Sequence, residues 1–144
     1  MHPLATIGYE RAPLDQTIAR LQAGGVELVI DVRAVAASRR AGYSKTLLGT
    51  SLGAAGVGYL HLRDLGTPKA GRDAARAGRT AEMQRIFREH LATSAAQAAL
   101  EAAIVAASDK RACLLCYEED PACCHRTLVA EEIRARTGAT IVHL

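Results

Sequence analysis

The groups able to do chemistry are concentrated between Arg111 and Ile133. This stretch, RACLLCYEEDPACCHRTLVAEEI, contains all 4 cysteines of the chain. An apolar run, an Asp120-Pro121 turn and then Cys123-Cys124-His125-Arg126 at the head of an amphipathic segment predict a strand feeding a helix. A thiol at such a helix start, next to Arg126, has its ionisation favoured by the helix dipole and the guanidinium, which makes Cys124 a candidate nucleophile or redox thiol. Adjacent residues cannot all face one ligand, so a site that takes Cys124 and Arg126 leaves Cys123 pointing elsewhere. Cys116 and Glu118 stand at i and i+2, share one side of the strand end, and can enter the same crevice. The competing reading of that pair is an ordinary packed strand end.

Cys113 and Cys116 form a C-x-x-C, but residues three apart on a strand face opposite ways, so the pair cannot converge on zinc and Cys113 reads as core. A cysteine phosphatase loop needs five residues between its cysteine and arginine. Cys116 and Arg126 are too far apart for that, and Cys123 and Cys124 too near. The sequence therefore assigns no metal ligands and names no cofactor, although Cys116, Cys124, His125 and His61 are the residues from which a metal site could be assembled.

These groups need a scaffold. Val26 to Val32 (VELVIDV) is the clearest strand, and its near-continuous apolar character predicts a central parallel position. Asp31 and Arg33 lie on one side of its end. Leu4 to Tyr9, Val57 to Leu62, Ala112 to Tyr117 and Ala139 to His143 read as the other strands, with Tyr59 and His61 on one face of the third. Between them, helical spacing covers Leu14 to Leu21, Lys45 to about Ala54 behind the N-cap Ser44, Thr80 to Leu91, about Ser94 to Ala107, and Arg126 to Arg136. Residues 34 to 43 read as a basic loop. Residues 69 to 79 (KAGRDAARAGR), small, polar and basic, read as a surface lid or loop. Strands alternating with helices predict one three-layer α/β domain over residues 1 to 144, with a mostly parallel five-stranded sheet and helices on both faces, Rossmann-like. The strand order expected is 3-2-1-4-5. In such a sheet the crevice at the strands' carboxyl ends is where ligands bind.

Composition narrows the function. Hydrophobic residues make up 49% of the 144-residue chain, but aromatics only 3% with no Trp, so the core must be aliphatic and alanine-rich. Net charge is +3, and it is unevenly spread: eleven Lys/Arg against three acids from Arg33 to Arg88 give that block +8 and leave −5 on the flanks. A basic block on an acidic frame suits an anionic small molecule or nucleic acid, or else is a solvated Arg-rich face. No apolar run approaches the ~18 residues of a membrane span, and the amino terminus does not read as a secretory signal. Four cysteines, two of them adjacent, make a poor disulfide framework, which points to a reducing cytoplasm. The sequence does not predict an oligomeric state.

Taken together, Thr6-Ile7-Gly8-Tyr9, Ile30-Asp31-Val32-Arg33, Ser38-Arg39, Tyr59, His61, Leu65-Gly66 and Cys116-x-Glu118 followed by Cys124-His125-Arg126 resemble the DUF488 family of small α/β proteins. The match spans nearly the whole chain. The resemblance implies a shared pocket built from Asp31, Arg33, Ser38, Arg39, His61, Cys116, Glu118, Cys124, His125 and Arg126, with Tyr9 beside it. Tyr43, where the family pattern leads one to expect phenylalanine, and the extra Cys123 are departures. Two function classes follow. One is an enzyme acting on a phosphorylated or nucleotide-like substrate. In it Tyr9, Arg33, Ser38, Arg39, Cys116, His125 and Arg126 would bind substrate, and Cys124, Glu118, Asp31 and His61 would be catalytic. The other is a non-catalytic module binding nucleic acid or a nucleotide through basic loops. Acid-base groups mixed with arginines favour the enzyme, and scarce aromatics disfavour stacking on single strands.

Overall fold

A computed structural model describes residues 1–144. Five strands, β1 (Leu4–Gly8), β2 (Leu28–Asp31), β3 (Gly58–His61), β4 (Ala112–Cys116) and β5 (Ile141–His143), form one sheet in which every pairing is parallel. Six helices connect them: α1 (Leu14–Ala23), α2 (Lys45–Ala54), α3 (Lys69–Arg76), α4 (Thr80–Leu91), α5 (Ser94–Asp109) and α6 (His125–Thr137). No single helix is long and apolar enough to cross a membrane.

Period-2 alternation along the strands divides the core in two. Ile7, Val29, Cys113 and Leu115 face α1 and α2, where they meet Leu21, Leu48 and Leu52. Leu4, Ile30, Leu114 and Cys116 face the opposite way and pack on Phe87, Leu100, Val129 and Ile133 from α4, α5 and α6. The three-layer α/β architecture expected from the alternation of elements is the one found.

The strand order is not the expected 3-2-1-4-5. It is β3-β2-β4-β1-β5, with β4 in the centre. The connection from β1 to β2 passes over one place, and β4 later fills it. Its sequence explains why: all five residues of ACLLC are buried, so this strand needs a hydrogen-bonded neighbour on each side and a helix layer on each face. β1 can sit nearer the edge because its polar Thr6 has a partner in the edge strand, His143 Nδ1 at 2.6 Å from the hydroxyl.

The second correction is α3. Residues 69 to 79 were expected to form a loop, but Lys69–Arg76 is helical and rests on α4. Its buried face consists of Gly71 and Ala74, too small to register as hydrophobic periodicity. Ion pairs from Lys69 (2.9 Å) and Arg76 (3.4 Å) to Asp73 decorate the outside.

The carboxyl ends of β1, β2 and β4 are thereby brought to one side of the sheet. Gly8 is what permits the closest approach. A Cβ there would lie 1.8 Å from the Glu118 carbonyl oxygen, so only glycine lets the segment after β4 fold back over β1.

Candidate active site

Beyond β4 the chain makes a short turn at Pro121–Cys123, capped by Asp120, whose Oδ1 accepts from the Ala122 N–H at 2.9 Å. Cys124 is the N-cap of α6 but makes no capping bond, so its thiol is free to turn inward, and it is buried. Its neighbour Cys123 is exposed and leans on Asp120. The expected division between the adjacent cysteines is reversed at the opening: exposed Cys123 lines the crevice, whereas buried Cys124 and Arg126 do not.

Cys116, Glu118, Cys124 and His125 converge. His125 Nδ1 lies 3.7 Å from Cys116 Sγ and 4.0 Å from Cys124 Sγ, and Cys116 Sγ lies 3.5 Å from Glu118 Oε2. The imidazole is locked in place. Its Nε2–H donates to the Val32 carbonyl at 2.8 Å, leaving Nδ1 to face the two sulfurs, and Phe87 packs on the ring with centroids 5.0 Å apart. The groups polarise one another. Burial opposes ionisation of Cys124, but hydrogen bonding from Cys116 and His125 and the nearby Arg126 charge outweigh it, and its pKa lies well below the usual thiol range. The bond to Cys124, then burial, holds Cys116 protonated far above that range. Burial favours neutral His125, yet the Cys124 partner wins and raises its pKa. Burial first, then the Cys124 charge, pushes Glu118 up to about 7.

This cluster floors an open crevice of about 900 Å³. Cys116, Glu118 and His125 line it, whereas Cys124 lies behind them. The rim carries Arg39 and Ser38 from the loop after β2, Arg72 and Arg76 from α3, and Tyr9 and Glu10 from the end of β1. Arg39 is exposed and pairs with no protein group. Ser38 Oγ accepts the Arg40 N–H at 3.1 Å, and the Arg40 guanidinium ties the loop down through the carbonyls of Glu10 and Ala12.

Two expected site residues are occupied elsewhere. Asp31, fully buried, receives Nε (2.9 Å), Nη2 (2.7 Å) and the backbone N–H (3.1 Å) of Arg33, and the Tyr59 hydroxyl at 2.5 Å. Arg33 lines the crevice, but its Nη1 donates to the Tyr9 hydroxyl (2.9 Å) and the Tyr43 carbonyl (2.8 Å). Asp31 and its two bonds keep the guanidinium charged even though burial opposes the charge. Tyr9 in turn stacks on Tyr43 at 4.0 Å. The departure at Tyr43 is accommodated by partners: its hydroxyl donates to the Ala12 carbonyl at 2.8 Å and receives Thr17 Oγ1 at 2.6 Å. These residues form a polar girder at the strand ends, not a free anion clamp.

Arg126 is 1% exposed and does not line the crevice. Its Nη1 donates to the Glu118 carbonyl and its Nη2 to that of Glu119 at 3.3 Å, so it holds the segment that carries Glu118, while its Nε has no partner. The expected joint Arg33–Arg126 grip on one anion is not formed. His61, half-buried, binds the Arg33 carbonyl at 2.8 Å through Nε2 and stands outside the crevice. Arg72 and Arg76 also line the crevice, and neither was expected there from the sequence. The local excess of positive charge was their one signal, and treating 69 to 79 as a loop hid which face they occupy.

No curated protein and no solved structure matches this chain. One family does: the description Domain of unknown function DUF488 matches residues 13–133, the span that contains β2, β4, the crevice loops and the Cys116–Arg126 segment. The expectation raised by the C-x-E and C-H-R residues is met, and the chain belongs to the DUF488 family.

Proposed function

We propose that this protein is an enzyme acting on a phosphorylated or nucleotide-like anion seated in the crevice, with the chemistry carried out at its floor. One observation carries the reading: the Glu118 carboxyl, which burial pushes up to about 7, the buried His125 imidazole and the Cys116 thiol share an opening rimmed by Arg39, Arg72 and Arg76. A carboxyl poised near neutrality can both take and return a proton at working pH, so Glu118 is assigned as general acid-base. The rim arginines hold the anionic part of the substrate by charge-assisted hydrogen bonds. Arg33 and Arg126 act behind them, as positioning residues for Tyr9 and for the Glu118 segment. Asp31 and His61 belong to that girder. Cys124 is set back from the opening, so its thiolate works through Cys116 and His125 and not by direct attack. Four unpaired cysteines support a reducing, cytoplasmic setting.

The size of the crevice favours a small molecule over a non-catalytic grip on nucleic acid, since about 900 Å³ is the volume of an ordinary ligand pocket. Calorimetric titration with inorganic pyrophosphate and nucleoside diphosphates tests the rim. Replacing Arg39, Arg72 and Arg76 together by Ala should weaken binding by about tenfold or more. For whichever class binds, Glu118→Gln should leave affinity within a few-fold but cut turnover by roughly 100-fold or more. Undiminished binding in the triple variant, or undiminished turnover in Glu118→Gln, overturns the assignment.

A further inference from the structure

The sulfur and nitrogen atoms at the crevice floor are spaced like ligands more than like hydrogen-bond partners. Tetrahedral zinc with Zn–S of about 2.3 Å and Zn–N of about 2.0 Å places sulfur and nitrogen ligands about 3.5 Å apart and two sulfurs about 3.8 Å apart. Here the two S···N separations are 3.7 and 4.0 Å, and all three atoms lie within 4.8 Å of one another. A separation of 4.0 Å is at the outer edge of any hydrogen bond, yet within about half an ångström of a ligand spacing.

The surroundings favour the same conclusion. The bond from His125 Nε2–H to the Val32 carbonyl at 2.8 Å is the outer-shell contact that fixes a metal-bound histidine, and it leaves the Nδ1 lone pair directed at both thiols. The α6 amino terminus contributes only about half a positive charge. Once the ion has displaced the Cys116 proton, the two thiolates together exceed that and match a divalent ion. Three of the groups around the cluster, Cys116, Glu118 and His125, also open on the crevice, so an ion there has an entry path.

We propose that Cys116 Sγ, Cys124 Sγ and His125 Nδ1 are three ligands of one zinc-class divalent ion, with the fourth position open to the crevice beside Glu118. This explains why Cys124 is turned inward although it does not line the opening. Binding the ion displaces the proton from each thiol that still carries one. The catalytic use of the ion rests on the reading of the crevice as an enzyme site. Water on the open position gives a proton to Glu118 and adds its oxygen to the electrophilic carbon or phosphorus of the substrate, and Glu118 passes that proton to the departing group. Substrate and water are thus consumed in equal number, with no oxidant or reductant. The reaction class is hydrolysis.

The test is metal analysis of the full chain purified without chelator, followed by Co²⁺ substitution. About one equivalent of zinc per chain is expected, and the Co²⁺ form should show thiolate charge-transfer absorption with a tetrahedral visible band. Cys116→Ser, Cys124→Ser and His125→Asn should each lose most of the metal, while Cys123→Ser and Cys113→Ser keep it. Circular dichroism reports whether each variant folds. If the three ligand variants fail to fold, the wild-type Co²⁺ spectrum still decides. Wild-type protein that takes up neither ion under reconstitution, or metal lost equally in Cys123→Ser, overturns the proposal. Pyrophosphate titration of the chelator-treated protein separates the two readings. Anion binding without metal uptake sinks the ion and spares the crevice, and stoichiometric metal without anion binding does the reverse.

Discussion

Replacing Asp31 should be among the most destabilising single changes in this protein, because it strips a buried guanidinium of its counter-charge. Asp31 is fully buried and Arg33 is 5% exposed, so water screens their 2.7 Å contact little. In Asp31→Ala the Arg33 Nε and Nη2 and the Tyr59 hydroxyl all lose their acceptor. Breaking one side of a buried pair costs about 3–5 kcal/mol, most of it the penalty of the charge left behind. A chain of this size is stable by roughly 7–20 kcal/mol, so between about a sixth and two thirds of the total is at stake. With a urea slope of about 2 kcal/mol per molar, the unfolding midpoint should fall by about 2 M. Tyr59→Phe, which removes one charge-assisted bond at a half-buried site, should cost about 1.5 kcal/mol and almost nothing more once Asp31 is gone. Equilibrium urea unfolding of the single and double variants measures all of this. A loss under about 1 kcal/mol for Asp31→Ala, or strict additivity of Asp31 and Tyr59, would refute the girder as drawn.

Gly8→Ala should lower stability by about 2 kcal/mol or more in thermal unfolding, since its Cβ meets backbone, not a movable side chain, at the Glu118 carbonyl. In chelator-treated protein Glu118 titrates at about 7, above its unfolded value of 4.5, so its contribution is full below that unfolded value and is lost as pH rises toward 7. Wild type should therefore lose stability relative to Glu118→Gln across that window, a trend that calorimetry at several pH values would show to be present or absent. Timed alkylation should label exposed Cys123 first and Cys113 last, because Cys113 is fully buried and burial pushes its thiol far up. Chelator should accelerate Cys116 and Cys124 but leave Cys123 unchanged, and mass analysis of the peptides reads each rate separately.

Local signals in the sequence carried most of this architecture. The apolar runs, Gly24-Gly25 after α1, Ser44 before α2 and Gly138 after α6 mark element ends that the structure keeps within a few residues. Strand order was not legible, because it depends on which gap a later strand fills. β2 and β4 both look central by composition, and only long-range packing decides that β4 takes the middle. The cluster was legible as a place: Cys116, Glu118, Cys124 and His125 do converge at the strand ends. The division of labour among the arginines was not. From sequence, Arg33 and Arg126 look like anion holders, but each is enclosed by oxygen acceptors that no spacing rule reveals. Arg72 and Arg76 reach the rim only because a run of small residues folds as α3.

The most direct test of the crevice as an anion-processing site is a crystal structure of the protein soaked with pyrophosphate. Ordered density between Arg39, Arg72 and Arg76, with one phosphoryl group directed toward Cys116 and Glu118, is the predicted result. Density confined to other surfaces, with the crevice holding only water at saturating pyrophosphate, would contradict it.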